Sequence, residues 1–183
     1  MTRILFATAL AGALAIAAPA GAARDAEVRL SVTKDPQGAD ALVAGAVDIA
    51  APPETVWRLL TDCAALRRMT PSIRVCKVTE RDPAGSWDVR EHVVKIPMEP
   101  DMRTVLRQEL SPQRRIAFRQ VEGDMKLMEG EWLLEPMDGG TATRVSYRLR
   151  LTPMCGAPML VRSFLRRESA RGLANLRTES ERS

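Results

Sequence analysis

The side chains able to do chemistry are few and scattered. His92 is the only histidine in the 183-residue chain, and its imidazole is the one group whose ordinary pKa suits a general base near neutral pH. It stands on an extended segment between Glu91 and Val93, and the alternation there leaves its inward or outward sense open. A lone His without an assigned partner is more often structural than catalytic. Glu168 lies at the edge of the inner arc of the last helical segment, where its carboxylate could face a cavity or pair with a neighbouring Arg. Tyr147 can offer a hydroxyl to a ligand oxygen or simply fill the core. Ser163 and Ser169 have neither His nor Lys at helical spacing, so no nucleophile with an adjacent base is present. His92 and Glu168 are therefore the only catalytic candidates, and they form no set.

Cys63, Cys76 and Cys155 cannot all pair within one chain. Cys63 and Cys76 would close a short loop and are the first pair to consider for a disulfide; the alternative is that all three are small apolar fillers. Metal sites want tighter cysteine spacing and neighbouring His, so no metal is expected. No Gly-rich phosphate loop or RNA-binding aromatic motif occurs, and no cofactor is expected.

The elements that must position these groups are read from periodicity. Residues 27–33 alternate Val28, Leu30 and Val32 against Glu27, Arg29 and Ser31, a half-buried strand. Asp35-Pro36-Gln37-Gly38 has turn chemistry, and residues 41–49 read as the next strand, together a potential hairpin. Pro52-Pro53-Glu54 opens a helix, because proline is tolerated in the first turn and a carboxylate suits the positive dipole end. Asp62 can cap a second short helix to about Arg68, stopped by Pro71. The period then changes to two, giving strands over 73–80, 86–96, 103–110, 115–121, 126–135 and 143–151. The last is clearest: Val145, Tyr147, Leu149 and Leu151 share one face, and Arg144, Ser146, Arg148 and Arg150 the other. Pro153, Gly156 and Pro158 break the chain before a long amphipathic helix over 159–179. There Val161, Phe164, Leu165, Leu173 and Leu176 form a stripe, with Arg162, Arg166, Arg171 and Arg177 largely outside it.

The first residues have the pattern of a secretory leader. Arg3 precedes an uncharged apolar run over 4–18, roughly 15 residues and short of the ~20 needed to span a bilayer. Small residues follow, and cleavage after Ala22 or Ala23 is expected, leaving 24–183 as one periplasmic or secreted domain. The alternative is an uncleaved N-terminal anchor. The formal charge of +4, from 27 basic and 23 acidic residues, is a mixture typical of a solvated surface rather than a nucleic-acid footprint.

An α+β domain results, with a curved antiparallel sheet of six or seven strands around a long C-terminal helix and two short helices after the first strand. Such a sheet is a poor close-packer on one helix. Ser169 and Gly172, small residues on the helix's inward arc, leave volume unfilled. Met69, Met98, Met102, Met125, Met128, Met137, Met154 and Met159 supply adaptable apolar surface, as gap-fillers or as a lining for irregular partners.

The order and local signatures resemble the START-related helix-grip (SRPBCC) superfamily, in particular its polyketide cyclase/dehydrase and coenzyme Q-binding branch. Ala51-Pro52-Pro53-Glu54-Thr55-Val56-Trp57-Arg58-Leu59-Leu60-Thr61-Asp62 is similar to that group's A-P-x-E-x-V-W-x-x-L-T-D helix. Gly130-Glu131-Trp132-Leu133-Leu134-Glu135-Pro136, then Gly140-Thr141 and Val145-Ser146-Tyr147, resemble its late strand-turn-strand. The helix ending Leu173-Ala174-Asn175-Leu176-Arg177 also fits, so the likeness runs over about 43–177. The group often has an aromatic after T-D, where Cys63 stands, and aromatics near Leu66, Arg67 and Arg68.

The resemblance implies an internal cavity for an apolar small molecule or lipid, such as a quinone or a polyketide-like chain. Its expected lining is Trp57, Trp87, Trp132, Tyr147, Val161, Phe164, Leu165 and Glu168. The Arg-rich final helix adds the expectation of peripheral contact with anionic headgroups, weighed against an ordinary solvated face. A carrier or sequestering protein is the leading reading. A cyclase- or dehydratase-type enzyme and a protein-binding module are the alternatives.

Overall fold

The computed structural model describes residues 27–96, 99–154 and 158–183. The expected leader, Met98, Cys155 and Gly156 lie outside the described residues.

Eight strands form one antiparallel sheet: β1 (Arg29–Thr33), β2 (Ala41–Ile49), β3 (Ile73–Arg81), β4 (Trp87–Val94), β5 (Met102–Ser111), β6 (Arg115–Gly123), β7 (Met125–Met137) and β8 (Ala142–Pro153). Their spatial order is β1-β2-β8-β7-β6-β5-β4-β3. Helices α1 (Pro53–Thr61) and α2 (Cys63–Met69) follow β2, and α3 (Pro158–Arg182) ends the chain. The expected six or seven strands become eight because the leading hairpin contributes two full strands, β1 and β2. For the same reason the short helices follow the second strand and not the first.

Local chemistry sets these boundaries. In the β1–β2 turn Asp35 accepts the Gln37 N–H at 3.0 Å, and Gly38 takes φ +103°, a left-handed conformation that suits glycine. Pro53 sits in the first turn of α1, which buries Val56, Leu59 and Leu60. Asp62 caps α2, its Oδ1 accepting from Ala64 N at 2.6 Å and Ala65 N at 3.2 Å. At the other end of α2, Asn175 on α3 donates to the Met69 carbonyl at 2.7 Å. The Cys63–Cys76 disulfide pins the start of α2 to β3 across Cα atoms 5.3 Å apart.

Alternation along β2 and β8 aims Val43, Val47 and Ile49, with Val145, Leu149 and Leu151, at the concave side. The opposite face is ion-paired: Arg144 forks onto Asp48 at 2.7 and 2.8 Å, and Arg150 bridges Asp35 at 2.7 Å and Glu129 at 2.6 Å. Helix α3 lies across β2 and β1 and touches α1 and α2. Its approach is close because Gly45 has no side chain; a Cβ there would stand 2.7 Å from Leu173 Cδ1. The apolar core falls into two clusters. One, under α1, α2 and the end of α3, includes Val47, Val56, Leu60, Met69, Leu173 and Leu176. The other, toward the start of α3, includes Val43, Leu106, Phe118, Leu149 and Leu165. No helix among the described residues is long and apolar enough to cross a membrane.

Candidate functional site

The centre of the concave face is aromatic. Register places Trp132 on β7 beside Tyr147 on β8, and their rings stack at 4.2 Å between centroids. Phe118 on β6 lies 6.5 Å from Tyr147. It lies over Gly130, where an added Cβ would stand 2.7 Å from Phe118 Cζ. Val161, Phe164 and Leu165 come down from α3 onto the same cluster. Trp132 and Tyr147 are central on this face, yet both stay only half-buried. Burial pushes the Tyr147 phenol well above its ordinary pKa, and it stays neutral.

Next to this aromatic floor stands a ladder of polar side chains. Asp88, Arg90 and His92 occupy alternate positions of β4; Gln108, Leu106 and Thr104 oppose them in turn on β5. Gln120 pairs with Leu106 from β6, and Phe118 pairs with Gln108, so the aromatic floor and the ladder meet at Phe118. All of these except Gln120 are buried, with Arg90 and Asp88 each 1% exposed. The Arg90 guanidinium donates through Nε (3.0 Å) and Nη2 (2.7 Å) to the Asp88 carboxylate. Its Nη1 has no partner, and neither have His92 Nε2, Thr104 Oγ1, Gln108 Oε1 and Gln120 Oε1. The Gln120 amide is oriented by its other end, which donates to the Met125 carbonyl at 2.8 Å. Each orphaned group costs about 1–3 kcal/mol relative to a paired one. Five of them cluster on three neighbouring strands at the edge of the aromatic floor. All five atoms are shut off from solvent, so the grip is closed at the ladder.

Burial lowers the His92 pKa from 6.5 to about 4, the Arg90 charge adds to this, and Asp88 partly opposes it. The imidazole is therefore neutral at physiological pH. Cys76 opposes His92 on β3, so the disulfide and α2 close the ladder on that side.

Of the other expected residues, Trp57 packs from α1 against the cluster that Trp132 and Tyr147 also touch. Glu168 is half-buried on α3, 3.6 Å from the Arg171 guanidinium, with Oε2 buried and unpartnered. Trp87 does not line the concave face. It alternates with Asp88 onto the convex side, where the Arg107 guanidinium covers its ring at 4.3 Å. Trp87 is thus corrected as a lining residue, and the sense of β4 is set: Trp87, Val89 and Val93 face out, and Asp88, Arg90 and His92 face in. Asp88, Arg90, Thr104, Gln108 and Gln120 were missed by sequence reasoning. The signal that could have found the first two is the period-two polar run Asp88-x-Arg90-x-His92. Arg162 and Arg166, expected on the outer face of α3, donate at 3.1 Å to the carbonyls of Asp40 and Val32 and so tie the helix to the β1–β2 hairpin.

Two surface depressions lie elsewhere. One of about 390 Å³ sits on the convex face over Ala117, ringed by Arg107, Arg119 and Glu131. The other, about 440 Å³, lies beside α2 at Arg67, Pro71 and Arg74. Neither touches the ladder. Among the described residues, no group of three His, Cys, Asp or Glu side chains could hold a metal ion.

Solved structures share this architecture. A protein from Thermus thermophilus is 24% identical with a TM-score of 0.66, over 76% of this chain and 96% of its own. An aromatase/cyclase from a Streptomyces species is 23% identical with a TM-score of 0.66, over 77% of this chain and 93% of its own. The lipid transfer and protein localization domain of human StarD13 is 18% identical with a TM-score of 0.67, over 87% of each chain. At these identities the likeness is one of fold. Comparison with curated protein sequences gave no match. Residues 49–177 match the family described as polyketide cyclase / dehydrase and lipid transport. With its helix-grip fold and more than half of its length matched, the chain belongs to that family.

Proposed function

We propose that the protein is exported and holds an apolar molecule between α3 and the concave face of the sheet, as a carrier or sequestering protein. One observation carries this reading: Trp132 and Tyr147, stacked on each other in the middle of that face, are not fully buried. An apolar lining with a few convergent polar groups is the usual composition of a small-molecule site. The family's description, and the lipid transfer domains among proteins of this fold, agree with such a role.

Export rests on the leader pattern, and the Cys63–Cys76 disulfide supports it because such bonds persist outside the reducing cytoplasm. Peripheral membrane contact is supported by Met154, Met159 and Leu160, which are 58%, 74% and 67% exposed around the start of α3. A cyclase-type enzyme is the second reading. It is favoured by the buried Arg90 and His92 beside an aromatic floor, and by the shared fold of the Streptomyces aromatase/cyclase.

Native mass spectrometry of the full chain, recovered from the periplasmic fraction and then extracted with organic solvent, tests the proposal. A mature chain beginning at residue 23 or 24 and carrying one apolar adduct is the expected result. An unprocessed cytoplasmic chain overturns export. An empty chain that also fails to take up added tetradecanol overturns the binding role. Turnover of a polyketide-like chain that is lost in His92→Gln, with binding kept, selects the enzyme.

A further inference from the structure

We infer that the ladder on β4, β5 and β6 selects ligands ending in an uncharged oxygen group, a ketone or hydroxyl, over ligands ending in a carboxylate. This rests on the binding role proposed above and names the chemistry of its ligand.

Three of the five orphaned atoms set the polarity a ligand must match. Arg90 Nη1 is a donor only, and the Gln120 Oε1, held by the bond from its own amide to Met125, is an acceptor only. Thr104 Oγ1 can do either. A ketone oxygen satisfies Arg90 or Thr104; a hydroxyl satisfies a donor and an acceptor together. A purely hydrocarbon ligand satisfies none and leaves every orphan as costly as before.

Charge decides between oxygen groups. Arg90 is the only cation of the ladder, and Nε and Nη2 are already committed to the Asp88 carboxylate. With His92 neutral, the ladder sums to zero charge. A carboxylate entering here would lose its hydration and meet no uncompensated cation, and the Asp88 charge would stand within the same cluster. A neutral oxygen suffers no such penalty.

The geometry also sizes the ligand. From Phe118 on β6 to Arg90 on β4 is two strand spacings and two residues along the strand, roughly 12 Å, and from Trp132 on β7 to Thr104 on β5 is two spacings and six residues, roughly 22 Å. An apolar body over Phe118, Trp132 and Tyr147 can therefore place its end on the ladder. Because the ladder is closed in this structure, binding must part its walls, and the new hydrogen bonds offset that opening.

The test is competition at neutral pH. The full-length mature protein is equilibrated with equimolar tetradecanone, tetradecanol, sodium tetradecanoate and tetradecane, desalted and extracted, and the bound molecules are quantified. Ketone or alcohol should exceed both tetradecanoate and tetradecane by roughly tenfold, the worth of one net hydrogen bond. In the double variant Thr104→Val, Gln120→Leu, which removes two orphaned oxygens and the one Gln120–Met125 hydrogen bond, that advantage over tetradecane should fall to roughly twofold or less, with circular dichroism checking that the fold is kept. Tetradecanoate binding as well as the ketone overturns the charge argument. Equal uptake of tetradecane and the oxygenated probes overturns the ladder's role while leaving the carrier reading standing. No uptake of any probe overturns both.

Discussion

Replacing His92 with glutamine removes the chain's only imidazole and gives the closed ladder a thermodynamic signature. Burial, then the Arg90 charge, depress this pKa from 6.5 to about 4, with Asp88 opposing. Between those values the unfolded chain binds a proton that the folded chain refuses. Stability tied to His92 is therefore complete above about pH 6.5 and is lost as pH falls toward 4. At 1.36 kcal/mol per pH unit, the full depth is about 3 kcal/mol, of which about 2 kcal/mol is lost between pH 7 and pH 5. Urea unfolding of wild type and His92→Gln across that range isolates the contribution, because carboxylate effects are common to both. The difference in unfolding free energy should shift by about 2 kcal/mol in favour of the variant as pH drops. An independent reading comes from NMR, where a single imidazole titrates and should show its midpoint near pH 4. A midpoint near 6.5, with a flat difference curve, would refute the picture of a dry, closed ladder.

Other perturbations test the scaffold. Reducing Cys63–Cys76, or replacing both with Ser, frees a 13-residue separation in the unfolded chain and should lower stability by about 3 kcal/mol; the Ser variant should then be insensitive to reductant. Gly130→Ala puts a Cβ against the Arg148 carbonyl and the Phe118 ring, whereas Gly45→Ala meets only the ends of the Leu173 and Leu30 side chains. Thermal unfolding should therefore show Gly130→Ala as the more costly, by about 1–3 kcal/mol. Asp88→Asn strands the Arg90 charge in a buried site and should cost about 3–5 kcal/mol in chemical denaturation, far more than the exposed Glu122→Gln.

The fold was largely legible because its signals are local. Asp62 and Pro53 mark the starts of two helices by capping chemistry alone, and β8 declares its buried face through Val145, Leu149 and Leu151. The leading hairpin was legible as elements but not as two sheet members, since pairing with β8 is a long-range fact. The candidate site divides the same way. Trp132, Tyr147, Phe164 and Leu165 sit on elements whose inner face is the apolar one, so ordinary patterning finds them. Asp88, Arg90 and His92 sit on a strand where the inner face is the polar one. Trp87, expected in the lining, is turned outward by a pairing that only the tertiary fold shows. Thr104, Gln108 and Gln120 gain meaning solely by lying across from that strand.

A crystal structure of the mature protein soaked or co-crystallised with tetradecanone tests the central claim most directly. The account predicts density beneath α3, its chain over Phe118, Trp132 and Tyr147 and its oxygen within hydrogen-bond distance of Arg90 Nη1 or Thr104 Oγ1. Density confined to the convex depression over Ala117 or to the one beside Arg67 and Arg74, with the grip unchanged, would contradict it.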